Sequence, residues 1–110
     1  MNKIENTETR DQILEYLKRH LEECIYLTID LEKYGYQCPE AEFWYTEKEG
    51  RPDTVLMKYY DSFQIFSADE QWDAKESAEF MGTYHVQTIC GKESMIRKLE
   101  KHMEGFSAKY

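Results

Sequence analysis

The stretch EFWYTEKEGRPDTVLMKYYDSFQIFS, residues 42–67, is the densest aromatic and β-branched run in the chain and constrains the fold more than any other segment. Its residues suit a pleated surface, and Gly50, Pro52, Asp53 and Asp61 punctuate it. That pattern predicts a three-stranded antiparallel meander over residues 42–47, 54–60 and 62–67. Residues 47–53, between the first two strands, read as a charged, solvated turn. In the middle strand both alternating sets are largely apolar, Val55, Met57 and Tyr59 on one and Leu56 and Tyr60 on the other, with only Lys58 clearly polar. Such a strand needs cover on both faces. Alternation further sets Trp44 and Phe66 opposite Phe43, Tyr45, Phe63 and Ile65, and one of these aromatic sets is expected to lack a covering helix.

The flanking segments read as helices and short connectors. Thr9 and Gln12 form a capping-box pair that starts a helix near Arg10. Leu14, Leu17, Leu21, Cys24, Ile25, Thr28 and Leu31 then recur at three- and four-residue intervals up to Gly35. Unbroken, that helix would be about 38 Å long, too long for a domain whose radius of gyration should be about 13 Å. A break near residues 20–23 is therefore expected, with a second helix over 22–34. Beyond the meander, Asp73 and Glu76 cap a short helix ending at Gly82, and residues 85–90, HVQTIC, form a fourth strand. This β-α-β unit places the fourth strand parallel to the third. A last helix is expected over 93–103, ended by Gly105. The closing FSAKY resembles the approach to a strand that the chain does not itself supply. The expected fold is one α+β domain over residues 1–110, with residues 1–8 flexible. Its meander is extended to a mixed four-stranded sheet, with two N-terminal helices and one C-terminal helix.

Charge and motif content narrow the function classes. Fourteen basic against twenty-two acidic residues give a net charge of −8. The acids are spread over nearly every segment, which argues against nucleic acid or an anionic membrane as partner. The N-terminus is polar and lacks the apolar core of a signal peptide, so a cytoplasmic location is expected. Cys24, Cys38 and Cys90 are odd in number and in no CxxC arrangement, which fits reduced thiols, at least two of them buried, better than a disulfide framework or zinc site. The histidines show no HxxxH or HExxH spacing. Cys90-Gly91-Lys92 sits at a strand-to-helix turn, a place where phosphate or a thiolate is favoured, but the Walker pattern fails there. A Cys90 nucleophile would also lack a base, since His85 lies on the opposite face of the same strand. No catalytic, cofactor-binding or metal-ligating residue is assigned. The interface or acceptor-pocket candidates are Trp44, Tyr60 and Phe66, amphipathic or apolar rings suited to such surfaces.

At residue level the helix end DLEKYG (30–35), the meander string VLMKYYDSFQIFS (55–67) and TICGKESMIRKLEKHM (88–103) carry a family resemblance. Together with the order helix, helix, three antiparallel strands, helix, strand, helix, they make nearly the whole chain similar to the N-terminal half of a two-part bacterial acetyltransferase of the GNAT superfamily. The resemblance implies a second, C-terminal GNAT domain as partner, one that binds acetyl-CoA. It implies for this half a supporting role, possession of no cofactor seat, and a wall of the amine-acceptor pocket. The superfamily's pyrophosphate loop, Arg/Gln-x-x-Gly-x-Gly/Ala, is absent, and Gln87 to Gly91 has the wrong spacing. No cofactor is therefore expected on this chain, and acetyl-CoA is expected only for the full-length enzyme. The expected covering for a bare sheet face is that missing domain or a second copy in a homodimer. The alternative, from another class, is a stand-alone acidic inhibitor module that docks on a basic protein surface.

Overall fold

The computed structural model describes all 110 residues. Its single sheet has six strands in chain order: β1 (Asn2–Lys3), β2 (Ala41–Lys48), β3 (Arg51–Tyr59), β4 (Ser62–Ser67), β5 (Thr88–Cys90) and β6 (Ser107–Lys109). The pairings from β1 to β4 are antiparallel, and β5 joins β4, and β6 joins β5, in parallel. Helices α1 (Thr7–Lys18), α2 (Leu21–Tyr34), α3 (Ala74–Met81) and α4 (Glu93–Leu99) fill the connections. The α+β class with a mixed sheet is as the sequence predicts, but two edge strands enlarge the expected four-stranded sheet. β1 comes from residues expected to be flexible: it pairs with Trp44 and Tyr45, and Ile4 behind it is fully buried. β6 is the strand that FSAKY only seemed to approach, and α4 is one turn shorter than its periodicity suggests.

Local chemistry explains where the helices begin and bend. The cap of α1 is Asn6, whose side chain accepts from the Thr9 N–H at 2.8 Å, so the helix starts three residues before the predicted Arg10. A continuous helix from Thr7 to Tyr34 would run about 42 Å, against a longest molecular dimension of 34 Å. The chain accordingly breaks at Arg19 and His20, at the start of the expected stretch. It bends again at Cys24, whose φ of −143° and ψ of 37° are non-helical. Asp73 caps α3 through the Glu76 N–H at 2.9 Å, and Gly82 closes it, both as predicted.

Two tight turns set the register of the meander. β2 and β3 meet through Glu49-Gly50, where both residues have positive φ, 55° and 75°, as the right-handed twist of a two-residue hairpin favours. The expected solvated turn over 47–53 is therefore mostly strand. Pro52 has no N–H for the ladder, and the pairing slips between Tyr45 and Glu47, the kind of bulge at which a strand proline is tolerated. The Thr46 hydroxyl accepts from the Thr54 N–H at 3.0 Å there. Asp53, expected in solvent, is instead buried, its carboxylate accepting from Thr54 and Ser67 hydroxyls at 3.3 and 3.4 Å. Between β3 and β4 the turn is Tyr60-Asp61, with Tyr60 left-handed at φ 57°.

That second turn corrects the predicted face assignment. Leu56 pairs with Ile65 and Trp44 with Leu56, so Trp44 shares a face with Leu56, Phe63 and Ile65, under α3 and α4. Phe66 lies on the other face with Phe43, Val55 and Met57, under α1 and α2. Taking Tyr60 as the last residue of its strand shifts the register by one, and a one-residue shift moves every side chain to the other face. Both faces are covered by the chain's own helices. The bare sheet face is absent, and with it the expected site for a second copy or a missing domain on that surface.

Candidate functional site

β4 and β5 pair only from Ser62 to Gln64 and from Thr88 to Cys90, and β4 then continues through Ile65, Phe66 and Ser67 paired with β3 alone. In sheets with parallel strands, ligands gather in the crevice outside the carboxyl ends of those strands. A mainly apolar cleft of about 230 Å³ lies at this point, walled by Phe66 from β4, by Cys90 at the end of β5 and Lys92 after it, by Ile25 and Tyr26 from α2, and by Tyr110. The bend of α2 at Cys24 occurs in its wall. Gly91 is required by the close approach of the turn to β4, because a Cβ there would stand 2.9 Å from Ile65 Cγ2 and 3.0 Å from its carbonyl oxygen.

Several polar groups of the cleft are paired within the protein. Lys92 Nζ lies 3.2 Å from Glu23 Oε1 and 5.5 Å from the centre of the Phe66 ring, within range of a cation–π contact. Gln64 Nε2 donates to Asp30 Oδ2 at 2.6 Å. The Cys24 thiol donates to the carbonyl oxygens of Leu17 and His20, each at 3.3 Å. Burial, the dominant cause, pushes that thiol above its usual range, which keeps it protonated and weakly nucleophilic. Cys90 is half-buried, and no imidazole hydrogen-bonds either thiol. His20 instead stacks against Tyr16 and Phe66, at centroid distances of 5.6 and 5.8 Å. All three cysteines are free, and Cys24 alone is fully buried, where two were expected. No group of three or more His, Cys, Asp or Glu side chains is placed to hold a metal ion.

Most N–H groups of the strand-to-helix turn beside it are bonded within the protein. From the end of β4 into α3, the Ala68 N–H donates to Tyr16 Oη at 2.9 Å, Asp69 to Ser67 Oγ at 3.2 Å and Gln71 to Asp69 Oδ1 at 2.8 Å. The Trp72, Ala74 and Ser77 amides bond to backbone carbonyls, and the Glu76 amide bonds to the Asp73 carboxylate. A phosphate-binding turn needs these N–H groups free and anion-free surroundings. Here these seven are bonded within the protein, beside Asp69, Glu70 and Asp73, and only the Glu70, Asp73 and Lys75 amides of the segment lack a protein acceptor.

The structure separates the three candidates named from sequence. Phe66 forms part of the cleft wall but is only 1% exposed, Trp44 is 6% exposed under α3, and Tyr60 is 60% exposed in the turn at the far end of β4. Trp44 packs edge-on against Phe80 at 5.0 Å and lies 5.9 Å from Tyr84, while Tyr60 packs edge-on against Tyr59 at 4.7 Å. Reading the sequence as a strand-to-helix turn located Cys90, Gly91 and Lys92. The contribution of Ile25 and Tyr26 carried no local signal, since it follows from the bend in α2. No helix is long and apolar enough to cross a membrane. Comparison with protein-family models, with curated proteins and with solved structures returns no match to this chain.

Proposed function

We propose that this chain serves as the N-terminal, non-cofactor-binding half of a GNAT-type N-acetyltransferase, working in the cytoplasm beside a separate domain that holds acetyl-CoA. The observation that carries the reading is the element order around the parallel β4–β5 pair: two helices, three antiparallel strands, a helix, a parallel strand and a helix. That is the order on which the sequence resemblance rests. The amides after β4 support a supporting rather than a cofactor-binding role, because acetyl-CoA carries a pyrophosphate and most N–H groups of this turn are already bonded within the protein. The apolar cleft, with Phe66 and Tyr110 in its wall, supplies a surface for an acceptor or for the partner domain. Of the three sequence candidates Phe66 borders that cleft, and Tyr60 is exposed in the β3–β4 turn away from it.

The acidic inhibitor reading would be favoured by carboxylates gathered in one uninterrupted stripe. Here seven carboxylates are held in ion pairs with lysine or arginine spread from β1 to the end of α4, which weighs against a single stripe.

Thermal unfolding of the chain with increasing acetyl-CoA tests the proposal. No saturable rise in Tm is expected, since a ligand that binds the native state must raise it, and a saturable rise would overturn the claim of a missing cofactor seat. Supplied in trans to an acetyl-CoA-binding GNAT domain encoded with it, the chain is expected to increase acetyl transfer to primary amines. No gain over that domain alone would sink the functional reading.

A further inference from the structure

Where α2 passes the end of β3 and the start of β4, side chains from the three elements line a second pocket of about 200 Å³, which shares only Gln64 with the cleft. Asp30 and Tyr34 are four residues apart on α2 and so share a helix face. Met57 and Tyr59 are two apart on β3 and so share a sheet face, where Gln64 and Ser62 of β4 stand opposite them. The space is smaller than the roughly 300–1,000 Å³ of sites for drug-sized ligands, and suits a small head group.

The polar groups of this pocket select the sign of a ligand. Gln64 Nε2 directs its two N–H bonds to Asp30 Oδ2, at 2.6 Å, and to Met57 Sδ, at 3.4 Å. Gln64 Oε1 and Asp30 Oδ1 are left as acceptors without a donor from the chain. Asp30 takes part in none of the seven ion pairs, so the amide fixes its carboxylate in place without neutralising it. Lys33, the cation nearest to it in sequence, lies instead over the Tyr34 ring, 5.2 Å from its centre. An anion entering here meets the Asp30 charge in a chain of net charge −8, whereas a cation is attracted.

The rings select the kind of cation. Tyr34 and Tyr59 lie 5.8 Å apart at an interplanar angle of 31°, and Tyr60 packs edge-on against Tyr59 at 4.7 Å. Aromatic faces attract cations, and quaternary ammonium groups are the ligands for which such ring clusters serve best. Met57 adds a polarizable apolar wall. A quaternary ammonium offers charge to Asp30 and methyl groups to the rings; a primary ammonium must first shed tightly held water.

We propose that the pocket of Asp30, Tyr34 and Tyr59 binds the quaternary ammonium head of a small molecule. The site uses neither the cleft nor the element order, so it stands independently of the acetyltransferase reading.

Titration of choline into the intact, isotopically labelled chain at constant ionic strength, followed by its backbone amide resonances, tests it. Saturable shifts are expected around residues 30–34, 57–59 and 62–64, with a Kd of about 0.1–10 mM. Ethanolamine, and the neutral analogue of choline with carbon in place of nitrogen, should each bind at least about threefold more weakly. Asp30→Asn keeps the Gln64 contact but removes the charge, and is expected to raise the Kd at least about fivefold. Tyr59→Phe keeps the ring and should leave the Kd unchanged, while Tyr59→Leu should raise it roughly two- to fivefold. The proposal is overturned by the absence of saturable shifts at about 50 mM choline. Equal or tighter binding of ethanolamine or the neutral analogue overturns it too, as does an unchanged Kd in Asp30→Asn or in Tyr59→Leu.

Discussion

Under α3 and α4 the sheet presents Trp44, Leu56, Phe63 and Ile65 to Ala74, Ala78, Met81, Ile96 and Leu99; under α1 and α2 it presents Phe43, Val55, Met57 and Phe66 to Ile13, Leu17, Leu27 and Leu31. The two cores are similar in size and apolar content but differ in what is mixed with them. On the α3/α4 side an aromatic group of Trp44, Phe63, Phe80 and Tyr84 closes the surface, and the one buried side-chain polar atom without a partner, Ser77 Oγ, lies on α3. On the α1/α2 side polar groups are built into the core and are satisfied. Tyr16 Oη donates to the Asp53 carbonyl at 2.5 Å and accepts from Ala68, Asp53 accepts from two hydroxyls, and Thr28 Oγ1 donates to the Cys24 carbonyl at 2.9 Å. The cleft and the exposed row of α2 are on that same side. One face serves as a closed support, and the other combines packing with openings and hydrogen bonds. Bent helices and buried polar networks accompany function because each departs from what packing alone favours.

The largest effect expected is on the closed face. Trp44→Ala should lose about 4–5 kcal/mol and Phe66→Ala about 3 kcal/mol, both by denaturant titration, because the indole is the larger group removed and Phe66 borders the cleft, into which its cavity can relax. The reverse order would break the comparison between the faces. Smaller is the effect of Tyr16→Phe, which strands the Ala68 N–H and the Asp53 carbonyl at a cost of about 1–3 kcal/mol. This variant also has a pH signature. Burial, the principal cause, raises the Tyr16 phenol above its usual 10.0. The unfolded chain therefore loses its proton first, and the contribution of the group is complete below pH 10 and lost as pH rises from there through the folded value. Stability of the wild type should fall more steeply above pH 10 than that of Tyr16→Phe, and parallel curves would remove Tyr16 from the account. Smallest is a change on neither face. Glu49→Asn, which places Asn-Gly at the left-handed pair of the first hairpin, should add up to about 1 kcal/mol in thermal unfolding; a loss would show that Glu49 makes a contact beyond its turn.

Much of the framework was legible. Asp73, Glu76 and Gly82 marked α3 because capping is a local event between neighbours, and the connection of β4 through α3 to β5 implied a parallel pair because an antiparallel one needs no crossover. The need to break the long N-terminal helix followed from its length. Less of the candidate site was legible. The cleft takes its walls from α2, β4, the β5–α4 turn and Tyr110, which are distant in sequence, and only the turn announced itself. Phe66 was identified as an aromatic of interest but placed on the wrong face, and Trp44 and Tyr60 do not reach the site at all. Asp53 looked like a turn residue because aspartate favours turns, yet hydroxyls supplied by Thr54 and Ser67 allow it to be buried.

By itself the sequence determined which residues alternate within each strand, where the caps stand and how the elements follow one another, since these depend on neighbours a few positions apart. Only the tertiary structure decided which alternating sets share a face. That choice turned on a single residue, Tyr60, whose left-handed backbone belongs to the turn and not to the strand, and the pleat transmits a one-residue difference to every side chain beyond it. The covering of both faces, the cleft beside α2 and the outward row from Leu21 to Ile29 all follow from that register and from the bend at Cys24. They are set by packing between distant segments, which no local pattern records.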